Sequence, residues 1–173
     1  MNEPEPASPD PTSMEALYRR PGFMIRRAHQ IVLALFDEAA GELGITTTQY
    51  SVLHALRARP GIDQTALCEL IGIDRSTATV VLRLLERNGL VVRIQSERDR
   101  RCNQLGLTPA GEALLARTPP LTSAISGRMR EVMSADELEQ LTGLLGKFVG
   151  AFNDRVRIPL RPDAGARRPP DQR

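Results

Sequence analysis

Short hydroxyl side chains and arginines alternate with aliphatic residues in the stretch that follows Asp74. If this stretch is helical, its aliphatic residues recur at positions i, i+3, i+4 and i+7 and form one apolar stripe, made of Ala78, Val81, Leu82 and Leu85. The opposite face carries hydroxyls, one methyl-bearing side chain and guanidinium groups, from Ser76, Thr79, Val80, Arg83 and Arg87. Short side chains let a helix approach another surface closely, and this set of groups suits base edges and phosphates in the DNA major groove. A solvated helix face is the alternative, so the flanking sequence has to decide between them.

Basic residues are concentrated in the same region. The 173 residues include 23 Lys and Arg against 21 Asp and Glu, and this net charge of +2 does not by itself indicate nucleic acid. Between Asp74 and Gln104, however, seven arginines stand against four acids, a local excess of three positive charges. The chain is 41% hydrophobic but only 3% aromatic, so we expect one domain whose core is aliphatic packing between helices.

Several other classes of function lack their sequence signatures. The chain has no GxGxxG, P-loop, HExxH or GxSxG motif and only two histidines, so we expect no enzyme and no cofactor. Cys68 and Cys102 lie far apart without CxxC spacing, which argues against a disulfide framework and a metal site. Cys68 is best explained as a small apolar filler, and the sequence leaves open whether either thiol has a redox role. No apolar run approaches about 18 residues, so we expect a cytoplasmic protein without membrane contact.

Two helices are predicted upstream of this region. The first runs from about Pro21 to Glu42, because proline suits a first helical position and Gly44 provides a stop. Thr46 and Gln49 have the spacing of a capping box for the second helix, which ends at Pro60-Gly61.

A helix-turn-helix follows. Asp63 is positioned to cap a short helix over Gln64–Ile71, which Gly72 ends. Asp74 caps the next helix, and Gly89 terminates it. Because a tight glycine-containing turn joins the two helices, the pattern predicts a helix-turn-helix whose second helix is the reader.

The hydrophobic period changes after Gly89. Leu90–Gln95 and Asn103–Leu107 are predicted strands, and the charged segment Ser96–Arg101 forms the tip of the hairpin between them. This hairpin is a β-wing that directly follows the helix-turn-helix.

The C-terminal third is again helical. Thr108 caps a helix that begins at Pro109 and is interrupted at Pro119-Pro120. A second capping box, Ser134 to Glu137, opens the last helix. Its apolar stripe consists of Leu138, Leu141, Leu144, Leu145, Phe148 and Phe152.

The order of these elements resembles the MarR family of winged helix-turn-helix transcription regulators. The resemblance extends from about Gly22 to Arg155 and rests on Asp74-Arg75-Ser76-Thr77, Leu85-Glu86-Arg87-Asn88-Gly89-Leu90-Val91, Asp99-Arg100-Arg101 and Leu107-Thr108-Pro109-Ala110-Gly111. The segment Pro21–Gln30 is similar to the first helix of members that control the degradation of aromatic acids or their coenzyme A thioesters.

The resemblance implies a mainly α fold with a small β-wing, in which N- and C-terminal helices form a dimerisation region. We therefore expect a disordered tail at 1–13, an N-terminal dimerisation and ligand region at 14–45, a winged helix-turn-helix lobe at 46–108, C-terminal dimerisation helices at 109–157 and a disordered basic tail at 158–173. The apolar stripe of the last helix independently favours a homodimer, because a small lobe closed by its own helices leaves that stripe without a partner. The alternative is that the stripe folds back on the first helix of the same chain.

The resemblance also assigns roles on DNA. The base-proximal candidates are Ser76, Thr77, Thr79, Val80 and Arg83, and Arg75 and Arg87 lie nearer the backbone. Arg83 is the first choice for a guanine contact. In the wing, Asp99 is expected to brace the hairpin while Arg101 enters the minor groove, with Arg98 or Arg100 on phosphate. A solvated turn is the alternative for the wing.

A regulator also needs an effector that binds its two states differently. Arg26 and His29 are three residues apart on an otherwise apolar helix, and Arg27 points elsewhere. A cation beside aliphatic walls suits a carboxylated aromatic or an acyl thioester, and Tyr50 and His54 on the next helix are further candidate ligand contacts. Pairing with Glu or with backbone carbonyls at a dimer interface is the alternative role.

These observations predict a homodimeric, sequence-specific transcriptional regulator that binds palindromic double-stranded DNA. We expect a repressor released by a small aromatic carboxylate or its coenzyme A thioester. The alternative is a winged-helix assembly or architectural DNA-binding protein without a small-molecule effector.

Overall fold

The computed structural model describes residues 10–95 and 103–165. This part of the chain is mainly helical and has one two-stranded antiparallel sheet, as the sequence predicts. The elements are α1 (Met14–Tyr18), α2 (Pro21–Ala40), α3 (Thr47–Ala58), α4 (Gln64–Ile71), α5 (Arg75–Arg87), β1 (Val91–Gln95), β2 (Asn103–Leu107), α6 (Pro109–Ala116), α7 (Pro119–Arg130), α8 (Ala135–Phe152) and a 3-10 turn (Asn153–Arg155).

The predicted caps start the helices. Thr46 accepts a hydrogen bond from the Gln49 amide at 3.3 Å, and the Gln49 side chain returns one from the Thr46 amide at 2.9 Å. Asp63 accepts from two amides at the start of α4, and Ser134 forms the second capping box with Glu137. Because these side chains satisfy amides that no helical carbonyl reaches, the helix starts follow local sequence signals and are confirmed.

The N-terminal region contains a short helix that the sequence pattern does not predict. The Ser13 hydroxyl accepts a hydrogen bond from the Ala16 amide at 3.1 Å and starts α1. The Tyr18 ring lies 5.3 Å from that of Phe23, which holds α1 against the start of α2. Pro21 begins α2 as predicted.

A hydrophobic core joins α3 to the helix-turn-helix and the sheet. On α3, Val52 and Leu53 are fully buried. The apolar stripe of α5 lies in the same core, with Leu82 and Leu85 fully buried and Val81 packed beside them. The core continues into β1, β2 and α6 through Val91, Leu105 and Leu115. The predicted inward face of α5 is therefore confirmed, and the opposite face points away from the core.

The sheet has a fixed register and is attached to the loop that follows α3. Val91 pairs with Leu107, and Gln95 pairs with Asn103. The Gly61 amide donates to the Leu105 carbonyl at 3.0 Å, and the Leu105 amide donates to the Ile62 carbonyl at 2.9 Å. The predicted wing tip and Cys102 lie outside the described residues; the wing positions concerned are Arg98, Asp99, Arg100 and Arg101.

A second, smaller core joins α2 to α7. It contains Phe36 and Ala40 from α2 and Leu121 from α7. The last helix, α8, has no buried residue in the chain. Leu138 is half-buried, and the other large apolar side chains of α8 are exposed, with Leu144 at 66%.

The structure departs from the expected C-terminal tail over residues 158–165. The Asn153 side chain brackets Leu160, donating to its carbonyl at 2.9 Å and accepting from its amide at 2.8 Å. The Arg161 amide then donates to the Glu69 carbonyl of α4 at 2.7 Å. The proline- and arginine-rich composition did not indicate this attachment, because it depends on one asparagine and one leucine rather than on a hydrophobic pattern.

Across residues 10–95 and 103–165, no helix combines the length and the apolar character needed to cross a membrane. The same residues contain no group of three or more His, Cys, Asp or Glu side chains placed to hold a metal ion.

Replacement of Gly111 by alanine tests the packing of α6 on the sheet. A Cβ at this buried position would overlap the carbonyl oxygen of Leu90 and lie 3.1 Å from its carbon. We expect Gly111→Ala to lower the free energy of unfolding by about 2–3 kcal/mol, as for other overpacked sites. Gly127→Ala is the control, because a Cβ there meets nothing within 4 Å on α7 and helix propensity favours alanine by up to about 1 kcal/mol. Thermal unfolding of both variants is the measurement, and equal melting temperatures would contradict the packing.

Candidate nucleic-acid interface

The first turn of α5 is organised by the Asp74 carboxylate. It accepts hydrogen bonds from the Thr77 amide at 3.0 Å, the Thr77 hydroxyl at 2.7 Å and the Ser76 hydroxyl. The hydrogen bonds from Ser76, followed by those from Thr77, hold the pKa of Asp74 well below its usual range. The hydroxyl protons of Ser76 and Thr77 therefore point at the cap, and their lone pairs remain available as acceptors.

The exposed face of α5 is chemically uneven. Val80 is 67% exposed, and Arg83 and Arg87 are also exposed. Thr79 differs, because its hydroxyl donates to the Arg75 carbonyl at 2.7 Å and accepts from the Gln64 side-chain amide at 2.8 Å. Val80 and Arg83 are thus available to a groove, whereas the hydroxyl of Thr79 is already committed within the protein.

The Arg75 side chain turns back toward α4. Its Nη2 donates to the Thr65 hydroxyl at 2.7 Å. This contact is consistent with Arg75 lying at the edge of the exposed face of α5 rather than at its centre.

A polar network links α4, α5 and β1, and the sequence pattern does not predict it. Arg93 on β1 forms an ion pair with Glu86 on α5, and its Nη1 donates to the Gln64 side-chain oxygen at 3.4 Å. The sequence does contain one signal of this network. Arg93 lies on the same face of β1 as the buried Val91, and a cation on that face needs a partner.

Comparisons with known proteins place this geometry in a family. The MarR family model matches residues 43–101. A putative transcriptional regulatory protein for the hcr operon of Thauera aromatica is 34% identical over 131 residues, which are 73% of this chain and 77% of that protein.

This chain belongs to the MarR family.

Solved structures agree with this assignment. The transcriptional repressor CouR bound to a 23-mer DNA duplex superposes with a TM-score of 0.75 at 33% identity, over 79% of this chain and 97% of CouR. CouR has also been solved bound to p-coumaroyl-CoA. The PcaV regulator of Streptomyces coelicolor, in complex with its natural ligand, has a TM-score of 0.73 at 31% identity, over 84% of this chain and 98% of PcaV. The chain is therefore a DNA-binding transcriptional regulator of the MarR family and not an enzyme.

The predicted ligand residues of this MarR-family chain lie in two separate groups. In the N-terminal half of α2, the Arg26 guanidinium lies 5.0 Å from the centre of the Phe23 ring, and Arg27 donates to Gln30 at 3.3 Å. His29 is exposed on the same helix.

The second group lies on α3. The Tyr50 and His54 rings are 4.4 Å apart, and Phe36 of α2 lies 5.7 Å from Tyr50. Burial lowers the pKa of His54, and the nearby charge of Arg57 lowers it further. Phe36 is ten residues from Arg26, or about 15 Å along a helix axis, so the single chain does not bring the two groups together.

A cleft between α2 and α7 has a volume of about 340 Å³. Leu35 and Ile125 contribute to its apolar wall, and Arg128 at its rim is paired with Glu131 at 3.3 Å. None of the predicted ligand residues lines this cleft.

Cys68 lies inside the helix-turn-helix. It is buried at 4% exposure, and burial raises the pKa of its thiol. An apolar filler fits this environment better than a reactive thiolate does.

The cap of α5 predicts a pH dependence of stability. Because the folded pKa of Asp74 lies below its ordinary value of 3.8, the cap contributes fully above about pH 4 and its contribution is lost as the pH falls through the folded pKa. We expect Asp74→Ala to melt below wild type at about pH 7, with a gap that narrows below about pH 4. Thermal unfolding across this range is the measurement, with Asp37→Ala at an exposed site on α2 as the control. A gap that stays constant down to about pH 2 would contradict this role of the carboxylate.

Proposed function

We propose that this chain is a homodimeric repressor that binds a palindromic operator and is released by a small aromatic carboxylate or its coenzyme A thioester. The proposal that this chain binds DNA rests on the exposed face of α5. Val80 and Arg83 extend from this face, and the opposite side of the helix is fully buried. Because the core already holds α5 in place, the helix loses little conformational entropy when its polar face binds DNA.

The proposed base-reading residues are Val80 and Arg83. Arg83 supplies two parallel donors of the kind that guanine accepts, and Val80 supplies an apolar contact for a thymine methyl. Ser76 and Thr77 contribute acceptors, since their protons face Asp74. Arg75 and Arg87 contact the phosphate backbone, and the wing adds Arg98, Arg100 and Arg101, with Asp99 as the brace.

The homodimer is proposed from the apolar surface of the long helices. Leu144, Leu145 and Phe148 on α8 are 66%, 41% and 50% exposed, and Ile31 on α2 is 49% exposed. Burial of apolar surface contributes roughly 25 cal/mol of stabilising free energy per Å². A second copy of the same helices covers it, so regions 14–45 and 109–157 form the dimerisation part and 46–108 the DNA-binding lobe.

The effector class is proposed from the relatives together with the chemistry of the predicted ligand residues. CouR binds p-coumaroyl-CoA, and PcaV has a natural ligand in its structure. In this chain Arg26 offers a cation beside an aromatic ring, and Tyr50 and His54 offer an aromatic wall. A carboxylate or thioester suits the Arg26 group and an aromatic ring suits the Tyr50 and His54 group, although one chain keeps the two groups apart.

Alanine at Arg83 tests the DNA-reading face. We expect Arg83→Ala to weaken binding to the preferred operator roughly 5- to 150-fold, which corresponds to the loss of one bidentate base contact. Fluorescence anisotropy with a duplex selected by the wild-type protein from a random library is the measurement. Arg130→Ala, which removes an exposed cation on α7, controls for net charge and should leave the affinity within about twofold. Equal losses in the two variants would contradict base reading by Arg83.

Calorimetric titration with benzoate and benzoyl-CoA tests the effector class. We expect either or both probes to bind wild type, and Arg26→Ala to weaken that binding about tenfold or more, since a charge-assisted hydrogen bond is lost. Arg19→Ala is the matched control, because Arg19 forms an exposed ion pair with Glu15 on α1. If neither probe binds, the proposed effector class is wrong, and a DNA-binding protein without a small-molecule effector is favoured instead.

A further inference from the structure

Gln64 is the first residue of α4, the helix that precedes the reader in the helix-turn-helix. Its side-chain nitrogen donates to the Thr79 hydroxyl at 2.8 Å and approaches the Arg75 carbonyl at 3.3 Å. Its side-chain oxygen accepts from Arg93 on β1 at 3.4 Å. One amide group therefore touches α5 with one end and β1 with the other.

The partners of this amide are themselves fixed. The Thr79 hydroxyl donates to the Arg75 carbonyl one turn earlier in α5 at 2.7 Å, so it faces Gln64 as an acceptor. Arg93 is held by its ion pair with Glu86, on the last turns of the same helix. The chain of contacts runs from the start of α5 through Gln64 to β1 and returns to the end of α5. A closed arrangement of this kind resists rotation of the helix against the strand, because rotation stretches several bonds at once.

The position of this chain of contacts gives it a consequence for DNA binding. α5 carries the proposed base-reading side chains, and β1 is the first strand of the wing. Base contacts require a more exact placement than phosphate contacts do, since the latter position the protein without reading sequence. A small rotation of α5 against β1 therefore affects discrimination between sequences more than it affects general affinity for DNA.

We propose that Gln64 is a positioning residue that fixes the reader helix α5 and the wing strand β1 in one relative orientation, and thereby determines how well the protein distinguishes its operator from other DNA. This inference rests on the proposed function. Gln64 acts through Thr79 and Arg93 and contributes no base contact of its own.

The test compares Gln64→Met with wild type on two duplexes. Methionine has a similar length and shape but lacks the amide donor and acceptor. The probes are the duplex that wild type selects from a random library and a scrambled duplex of the same length and composition. We expect Gln64→Met to bind the selected duplex about tenfold more weakly and the scrambled duplex within about twofold, since the amide loses its hydrogen bonds with Thr79 and Arg93. Gln140→Met makes the same substitution on α8, which carries no proposed base contact, and should leave the ratio between the two affinities unchanged.

A double-mutant cycle separates positioning from direct contact. Thr79→Val removes the hydroxyl that Gln64 contacts and keeps a similar shape. If Gln64 acts through Thr79, the double variant should lose less affinity for the selected duplex than the two single losses combined predict. Fully additive losses would overturn the proposal, as would unchanged discrimination in Gln64→Met. Failure of wild type to select any duplex would instead contradict the proposed function.

One measurement needs no variant and does not depend on DNA. In the free wild-type protein, the side-chain amide protons of Gln64 should exchange with water more slowly than those of the exposed Gln140, as observed by NMR. Equal exchange at the two sites would show that Gln64 does not hold its partners in solution and would overturn the proposal.

Discussion

The uncovered apolar surface of α8 is the constraint on which the proposed assembly of two chains depends. None of its residues is buried in the single chain, although Leu141, Leu144, Leu145, Phe148 and Phe152 follow one another at helical spacing. The winged lobe has its own core and does not need α8 to fold around it. In the proposed homodimer, covering this surface also determines the distance between the two lobes. Two reader helices that meet successive major grooves have to lie about 34 Å apart, so dimer packing sets operator spacing.

Within the lobe, burial and polar contacts have different tasks. The buried side of α5, with Ala78, Leu82 and Leu85 at 0% exposure, fixes which face of the helix points outward. Because hydrophobic contact is not directional, small rotations and shifts of the helix cost little free energy in the core alone. The Asp74 cap and the Gln64 network supply the direction that the core lacks. Polar contacts therefore orient α5, and some of the hydroxyl groups that the sequence offers as DNA contacts are bonded within the protein instead.

The sequence predicted those parts of the fold that depend on neighbouring residues. The caps at Thr46, Asp63, Asp74 and Ser134 act over two or three residues, and the strands alternate over five, so their signals are local. The network at Gln64 was not predictable in this way, because its partners Thr79 and Arg93 lie 15 and 29 residues away. The attachment of Leu160 to Asn153 and of Arg161 to Glu69 was missed for a related reason, since composition alone indicated a tail. The ligand residues remain a prediction, because Arg26 and Tyr50 belong to surfaces that a single chain keeps apart.

Sedimentation velocity of the wild-type protein, free and with the duplex that it selects, measures whether two chains act together. We expect a free species of twice the 19.1 kDa chain mass and a complex with two chains on one duplex. We also expect Phe148→Glu to produce a single folded chain, whereas Glu139→Lys on the opposite side of α8 keeps the dimer. A wild-type monomer that binds the duplex as one chain would contradict the proposed homodimer.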